Sequence, residues 1–286
     1  MESPLISVCI PTYNGEKYLQ EALNSVLQQT YTNIEIIVSD DSSQDKTLEI
    51  VEIFKNKSPF PVQLFNHTPN GIAANWDNCI ENANGKFIKF LFQDDILEPN
   101  CIAEFVKIQQ ETKKEIFFCK RTLIDSKGKT LNKNIPEVTD LQEVINININ
   151  NYFIFTKKNL KNIGAKYPNK IHHNFFGEPV ALFFSKEIYQ QTGKFNPNLK
   201  QLLDIEYWLR LLLKNDVVIL QKKLIRFRIH EEQTSSKNAL NRIDESKIIQ
   251  QYIYNHFFKY LNNKVKIKYL YSKYPFIGKI RGKIPF

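Results

Sequence analysis

The chain has 286 residues, 42% hydrophobic and 24% charged, a balance that builds a full core and excludes disordered and collagen-like classes. No stretch approaches the roughly 18 consecutive apolar residues of a membrane span, and Met1-Glu2-Ser3-Pro4 lacks the basic segment of a signal peptide, so a cytoplasmic protein is expected. The net charge of +9 is uneven: no acidic residue follows Glu245 but nine cations do, leaving residues 1–245 balanced at 30 against 30.

The first third alternates short β-branched runs with helical patterns: 5–10 then 16–29, 34–39 then 45–57, 62–65 then 71–83, and finally 86–92. This order predicts an α/β fold with a mostly parallel sheet and helices on both faces. Tyr18, Leu19, Ala22, Val26 and Leu27 recur near helical spacing and should pack on the sheet. From about residue 100 the alternation weakens. Asp125-Ser126-Lys127-Gly128-Lys129 has the chemistry of a hairpin turn, so a smaller mixed or antiparallel extension is expected. Residues 144–151 alternate but are rich in Asn, and strand and loop both stay open there. Residues 179–191 and 204–214 read as helices, with Pro179 in a first turn and Asp204 at a helix start, and 217–220 and 224–229 read as strands. With no repeat and no linker, residues 1–240 form one domain and 241–286 a helical, basic tail. Cys9, Cys79, Cys101 and Cys119 lack metal or disulfide spacing and read as buried thiols.

Five segments carry chemistry. Pro11-Thr12-Tyr13-Asn14-Gly15 ends the first strand, where an open parallel sheet binds ligands, without the glycines of a dinucleotide or phosphate loop. Ser39-Asp40-Asp41-Ser42-Ser43-Gln44-Asp45 ends the second; Asp41 suits a base or ribose contact and Asp45 a helix cap. Phe92-Gln93-Asp94-Asp95 ends an apolar strand in two carboxylates, a site for Mg²⁺ or Mn²⁺ bridging to a diphosphate, or else a surface turn. In Leu202-Leu203-Asp204-Ile205-Glu206-Tyr207-Trp208, either Asp204 or Glu206 suits a proton acceptor. His230, in Arg226-Phe227-Arg228-Ile229-His230, suits a metal ligand, with a nearby Arg for phosphate, although a lone His is more often structural.

In this order the segments resemble glycosyltransferase family 2, the inverting GT-A fold enzymes that use nucleotide-diphosphate sugars. The likeness runs over residues 5–236. It implies a nucleotide-binding half at 1–98 and an acceptor-side half at 99–240. By it Pro11, Tyr13 and Asp41 would contact the nucleotide, with Asp40 close by, and Asp94 would meet ribose or phosphate. Asp95 and His230 would hold Mn²⁺ or Mg²⁺, Asp204 would be the catalytic base, and Glu178 and Trp208 would face the donor or acceptor sugar. Phe92 stands where the family's metal motif has its first acid, and Leu203 where an acid normally precedes the base. The implied reaction is a single in-line displacement onto a hydroxyl of a glycan or polyprenyl-linked acceptor, in surface polysaccharide synthesis and with a UDP-sugar donor.

The tail interleaves cations with apolar and aromatic residues, a pattern suited to an anionic inner-leaflet surface. A nucleotidyltransferase lacks its phosphate loop here. A nucleic-acid binder would leave 245 neutral residues without a purpose, so no nucleic acid is expected. A catalytically impaired relative is the remaining alternative.

Overall fold

The computed structural model of the chain describes residues 3–66, 68–132, 151–166, 174, 176–241 and 243–274. The ambiguous segment 144–150 and the last cations of the tail lie outside them.

The first third folds as the alternation predicts: β1 (Ile6–Thr12), α1 (Leu19–Leu27), β2 (Ile34–Asp40), α2 (Thr47–Lys57), β3 (Val62–Asn66), α3 (Gly71–Asn82) and β4 (Phe87–Phe90). Strands β1 and β2 are buried along their whole length, as expected where helices cover both faces of a sheet. They pair in parallel with β3 and β4 in the order β3-β2-β1-β4. Register sets Thr12 beside Asp40 and Cys9 beside Phe90, so the carboxyl ends of β1, β2 and β4 share one edge.

Beyond β4 the sheet becomes mixed. It continues through β8 (Leu182–Ser185), β6 (Ile116–Ile124) and β9 (Val217–Arg228) to the short β5 (Ile96–Leu97), with β7 (Tyr152–Phe155) also on β9. Only β6 and β9 run parallel in this part. The turn at Asp125–Lys129 closes as expected, with the Asp125 N–H on the Lys129 carbonyl at 2.9 Å. Helices α4 (Cys101–Thr112), α5 (Leu160–Lys166), α6 (Lys186–Thr192), α7 (Leu203–Lys214), α8 (Thr234–Leu240), α9 (Ser246–Phe257) and α10 (Asn263–Lys273) complete the described elements.

Two expectations are corrected. Residues 179–191 are not one helix: Pro179–Ala181 form a 3-10 turn, then β8, then α6. Leu182, Phe183 and Phe184 are fully buried between β4 and β6, with Phe183 lying 5.0 Å from both Phe87 and Phe105. A run buried on both faces suits a strand. Residues 217–228 form one strand instead of two, because the polar interruption sits at a register shift against β6. The tail is helical, and its Ile249, Ile253, Phe257, Leu261 and Val265 join the core that contains Trp208 and Ile10. All four cysteines are buried and unpaired. No helix among the described residues is long and apolar enough to cross a membrane.

Candidate active site

The turns after β1 and β2 are built for rigidity. Asn14 (φ 48°) and Ser42 (φ 63°) both take left-handed backbone, which costs roughly 1–2 kcal/mol per residue outside glycine and persists only where the surroundings fix it. The Asn14 N–H donates to Ser43 Oγ, and the Gln44 N–H donates to Asn14 Oδ1, each at 2.8 Å. Asp40 is fully buried, and its carboxylate accepts Thr12 Oγ1–H (2.6 Å), the Ser43 N–H (2.7 Å) and Ser43 Oγ–H (2.7 Å). It ties the two turns together and presents no surface to a ligand. Pro11 is likewise buried within β1.

Tyr13 and Asp41 face outward. Tyr13 is 54% exposed, leaving its ring free to lie against a base. Asp41 is partly exposed; its N–H donates to the Thr12 carbonyl (3.0 Å) and its Oδ1 accepts the Asn70 N–H (3.3 Å). Gln93 clamps Tyr13 from the next strand end, accepting the Tyr13 N–H at 2.8 Å and donating to its carbonyl at 3.0 Å. A Cβ on residue 15 would lie 2.4 Å from Gln93 Oε1, so this clamp requires Gly15.

The end of β4 separates its two acids. Asp94 keeps part of its side chain exposed, and its Oδ2 lies 3.0 Å from His230 Nε2. Asp95 is 1% exposed, and its Oδ1 accepts the Arg228 N–H at 3.0 Å. Burial and the adjacent Asp94 charge raise its pKa well above the usual range, against the pull of the Arg228 N–H. The structure therefore joins His230 to Asp94, where Asp95 was expected. It cannot give His230 to Asp95, because that carboxylate is turned inward onto β9.

Neither arginine of the last motif is available for phosphate. Arg226 pairs with Glu98 through two contacts at 2.7 and 3.3 Å. Arg228 is 1% exposed; it donates to the carbonyls of Asp94 (2.9 Å) and Asp125 (3.1 Å) and to Glu21 (2.5 Å), and lies over the Tyr18 ring. Phe92, in the place of an acid, packs 5.2 Å from Trp76 and 5.8 Å from Phe90, an aromatic niche that would leave a carboxylate unpaired.

Asp204 is the second residue of α7. Its Oδ1 accepts the Ile205 N–H (2.8 Å) and its Oδ2 accepts Asn174 Nδ2–H (3.1 Å). Burial, reinforced by the Glu178 and Glu245 charges and opposed by the Ile205 N–H, pushes its pKa up to about 7. Glu178 follows Gly177, whose φ of 99° favours glycine, and pairs with Arg121 at 2.6 Å. The Glu178 charge raises the pKa of both Asp95 and Asp204. Glu206, the competing base, is buried and paired with Arg210 at 2.9 Å. Trp208 is not a sugar contact here: it is 1% exposed and packed on Phe118 and Tyr207, because it faces the core side of α7.

Sequence reasoning missed Gln93, Arg121, Asn174 and Lys89. Gln93 lay inside a motif already singled out. Lys89 is fully buried and donates to the carbonyls of Phe90, Val180 and Leu182, pinning the turn beyond Glu178. A lone Lys in an apolar strand would have been its signal.

The sequence profile of glycosyl transferase family 2 matches residues 7–182, more than half of the chain. The chain belongs to this family. An uncharacterized glycosyltransferase of Rickettsia prowazekii is 31% identical over 246 residues, covering 85% of this chain and 69% of the relative. The Staphylococcus aureus poly(ribitol-phosphate) beta-N-acetylglucosaminyltransferase TarS is 29% identical over 170 residues, 58% of this chain and 30% of that protein. The crystal structure of TarS residues 1–349 in complex with UDP-GlcNAc has a TM-score of 0.67 at 21% identity, covering 88% of this chain and 67% of that one. A mannosyltransferase of Pyrobaculum calidifontis in complex with GDP-Man and Mn²⁺ has a TM-score of 0.61 at 14% identity, covering 89% and 70%. The fold is thus the GT-A fold, and the protein is a nucleotide-sugar-dependent glycosyltransferase.

The residues present fit the divalent cation the family implies. Asp94 and His230 set an oxygen and a nitrogen donor side by side, and no group of three or more potential ligands exists among the described residues. Two protein ligands with phosphate oxygens completing the shell is a common arrangement for Mg²⁺ and Mn²⁺.

Proposed function

We propose that this glycosyltransferase inverts the anomeric centre of a nucleotide-diphosphate sugar, with UDP as the nucleotide, and transfers the sugar to a hydroxyl of a glycan or lipid-linked acceptor of a surface polysaccharide. The observation that carries this reading is Asp204: a carboxyl at the start of α7, held by the Asn174 side chain and the Ile205 N–H, whose pKa burial pushes up to about 7. A base with its pKa near working pH combines basicity with a large deprotonated fraction.

In this mechanism Tyr13 and Asp41 receive the nucleoside, on turns fixed by Asp40 and Gln93. Asp94 and His230 would hold Mn²⁺ or Mg²⁺, which would supply positive charge against the departing diphosphate. Asp204 takes the proton of the acceptor hydroxyl, whose oxygen bonds to the anomeric carbon. The bond from that carbon to the phosphate oxygen breaks, and the nucleoside diphosphate leaves with the electron pair. Glu178, anchored by Arg121, stands beside the sugar.

The same proposal docks α10 on the cytoplasmic face of an anionic membrane, supported by the exposure of Lys264, Lys268 and Lys273 and of Ile267 (42%). Each cation near such a surface contributes about 1 kcal/mol. Because Val265 is a core residue, charge reversal tests this better than truncation: K264E/K268E/K273E should lose binding to phosphatidylglycerol liposomes. Calorimetric titration of UDP and GDP with and without Mn²⁺ tests the donor site. Mn²⁺-dependent binding of UDP is expected, and tighter binding of GDP would overturn the nucleotide assignment.

A further inference from the structure

Glu245 is buried, and its carboxylate accepts three consecutive backbone N–H groups: Lys200 (2.7 Å), Gln201 (3.0 Å) and Leu202 (2.9 Å). These residues lead directly into α7, whose N-cap, Leu202, has no side-chain cap of its own. A carboxylate here meets backbone donors at the positive end of the helix. Asn238, from α8, holds the same strap from its other side by donating to the Lys200 carbonyl at 3.0 Å. Glu245 is fixed in turn as the N-cap residue of α9, whose Ile249, Ile253 and Phe257 are fully buried. The segment that the sequence presents as a tail therefore reaches back to the backbone that carries Asp204.

We propose that Glu245 is a positioning residue for Asp204, its carboxylate fixing the 200–202 strap and with it the start of α7. The proposal rests on Asp204 acting as the base. Hydrogen bonds to an ionised acceptor are about twice as strong as neutral ones, and three on adjacent amides leave the strap little freedom. A base displaced by about 1 Å loses up to about 10²-fold in rate. Two charges that raise the pKa of Asp204 are Glu178, from the turn before β8 and itself paired with Arg121, and Glu245. Both are negative, so removing the Glu245 charge lowers the proton affinity of Asp204.

The test uses the full chain. The Asp204 carboxyl is titrated by ¹³C NMR in the wild type and in Glu245→Gln, its resonance assigned by its absence from Asp204→Asn. The midpoint should fall in Glu245→Gln, because a negative charge beside Asp204 is removed. With UDP-GlcNAc as probe donor, Glu245→Gln should lower kcat for UDP release about tenfold and leave KM unchanged. An unchanged midpoint together with an unchanged kcat overturns the proposal. Should Glu245 variants not fold, hydrogen exchange on the wild type decides: amides 200–202 as protected as those of α7 support it, and fast exchange there refutes it. Full UDP release by Asp204→Asn would instead remove the base reading, while the titration and exchange still report the hold of Glu245 on the strap.

Discussion

At the nucleotide edge, the turns after β1 and β2 are tied by bonds across the β1–β2 pairing: Thr12 and Ser43 to Asp40, Asn14 to Ser43, and Gly15 to Thr47. On the acceptor side, Asp204 depends on Asn174, Glu178 on Arg121, and the strap before α7 on Glu245. The first arrangement follows from turn chemistry at adjacent strand ends and forms as β1 pairs with β2 and β4, with His230 alone brought to Asp94 from beyond β9. The second exists only when four distant segments have packed. Substitutions at the edge should therefore change nucleotide affinity, and substitutions on the acceptor side should change turnover and its pH dependence.

The largest test of this contrast is Asp204→Asn. Sugar transfer should fall by about 10²–10⁴-fold, the usual contribution of a general base, while calorimetry finds UDP binding unchanged. Normal transfer would end the base assignment. At the edge, Asp94→Asn and His230→Ala should each weaken Mn²⁺-dependent UDP binding by about 10–100-fold. Asp95→Asn, which alters a carboxylate turned inward onto β9, should spare more of that binding. The opposite ranking would return the metal to Asp95.

The pH profile separates the halves next. Asp204 binds its proton more tightly folded than unfolded, with a pKa of about 7 against an ordinary 3.8. Its contribution to stability is fully present below about pH 4 and is lost as pH rises through about 7. Turnover needs the deprotonated form and should climb through that same range. Between about pH 4 and 7 the turnover of the wild type should climb while its melting temperature falls, and both should level off above about pH 8. Asp204→Asn melts should lack this component.

The same contrast explains what was legible in the sequence. The parallel half, its strand ends and the acidic motifs could be read because period-2 and period-3.6 patterns and turn residues act over short range. Which acid faces outward could not: Asp94 and Asp95 are neighbours, and β9 decides between them by offering the Arg228 N–H to Asp95. Trp208 lies one turn after Asp204 on the same face of α7, but that turn is packed against Phe118 and leaves it 1% exposed. The β8 strand was misread as helix because a short apolar run fits either until its neighbours are known. Glu245 drew notice only as the last acid before the basic run.

The smallest effect belongs to the clamp at the nucleotide edge. Gln93→Ala removes two hydrogen bonds to the Tyr13 backbone, each worth about 1 kcal/mol, but Tyr13 is exposed and water can replace much of that. UDP affinity should fall by only about threefold. Gly15→Ala places its Cβ where Gln93 Oε1 now sits, so it should displace the same side chain and break the same two bonds. The two substitutions therefore should not add: in the Gln93→Ala background, Gly15→Ala should have little further effect on UDP affinity or melting temperature. A double-mutant cycle reads this coupling directly. Additive losses would mean that Gly15 is required for some contact other than the clamp, and that the edge is held by more than the pairing of β1 with the end of β4.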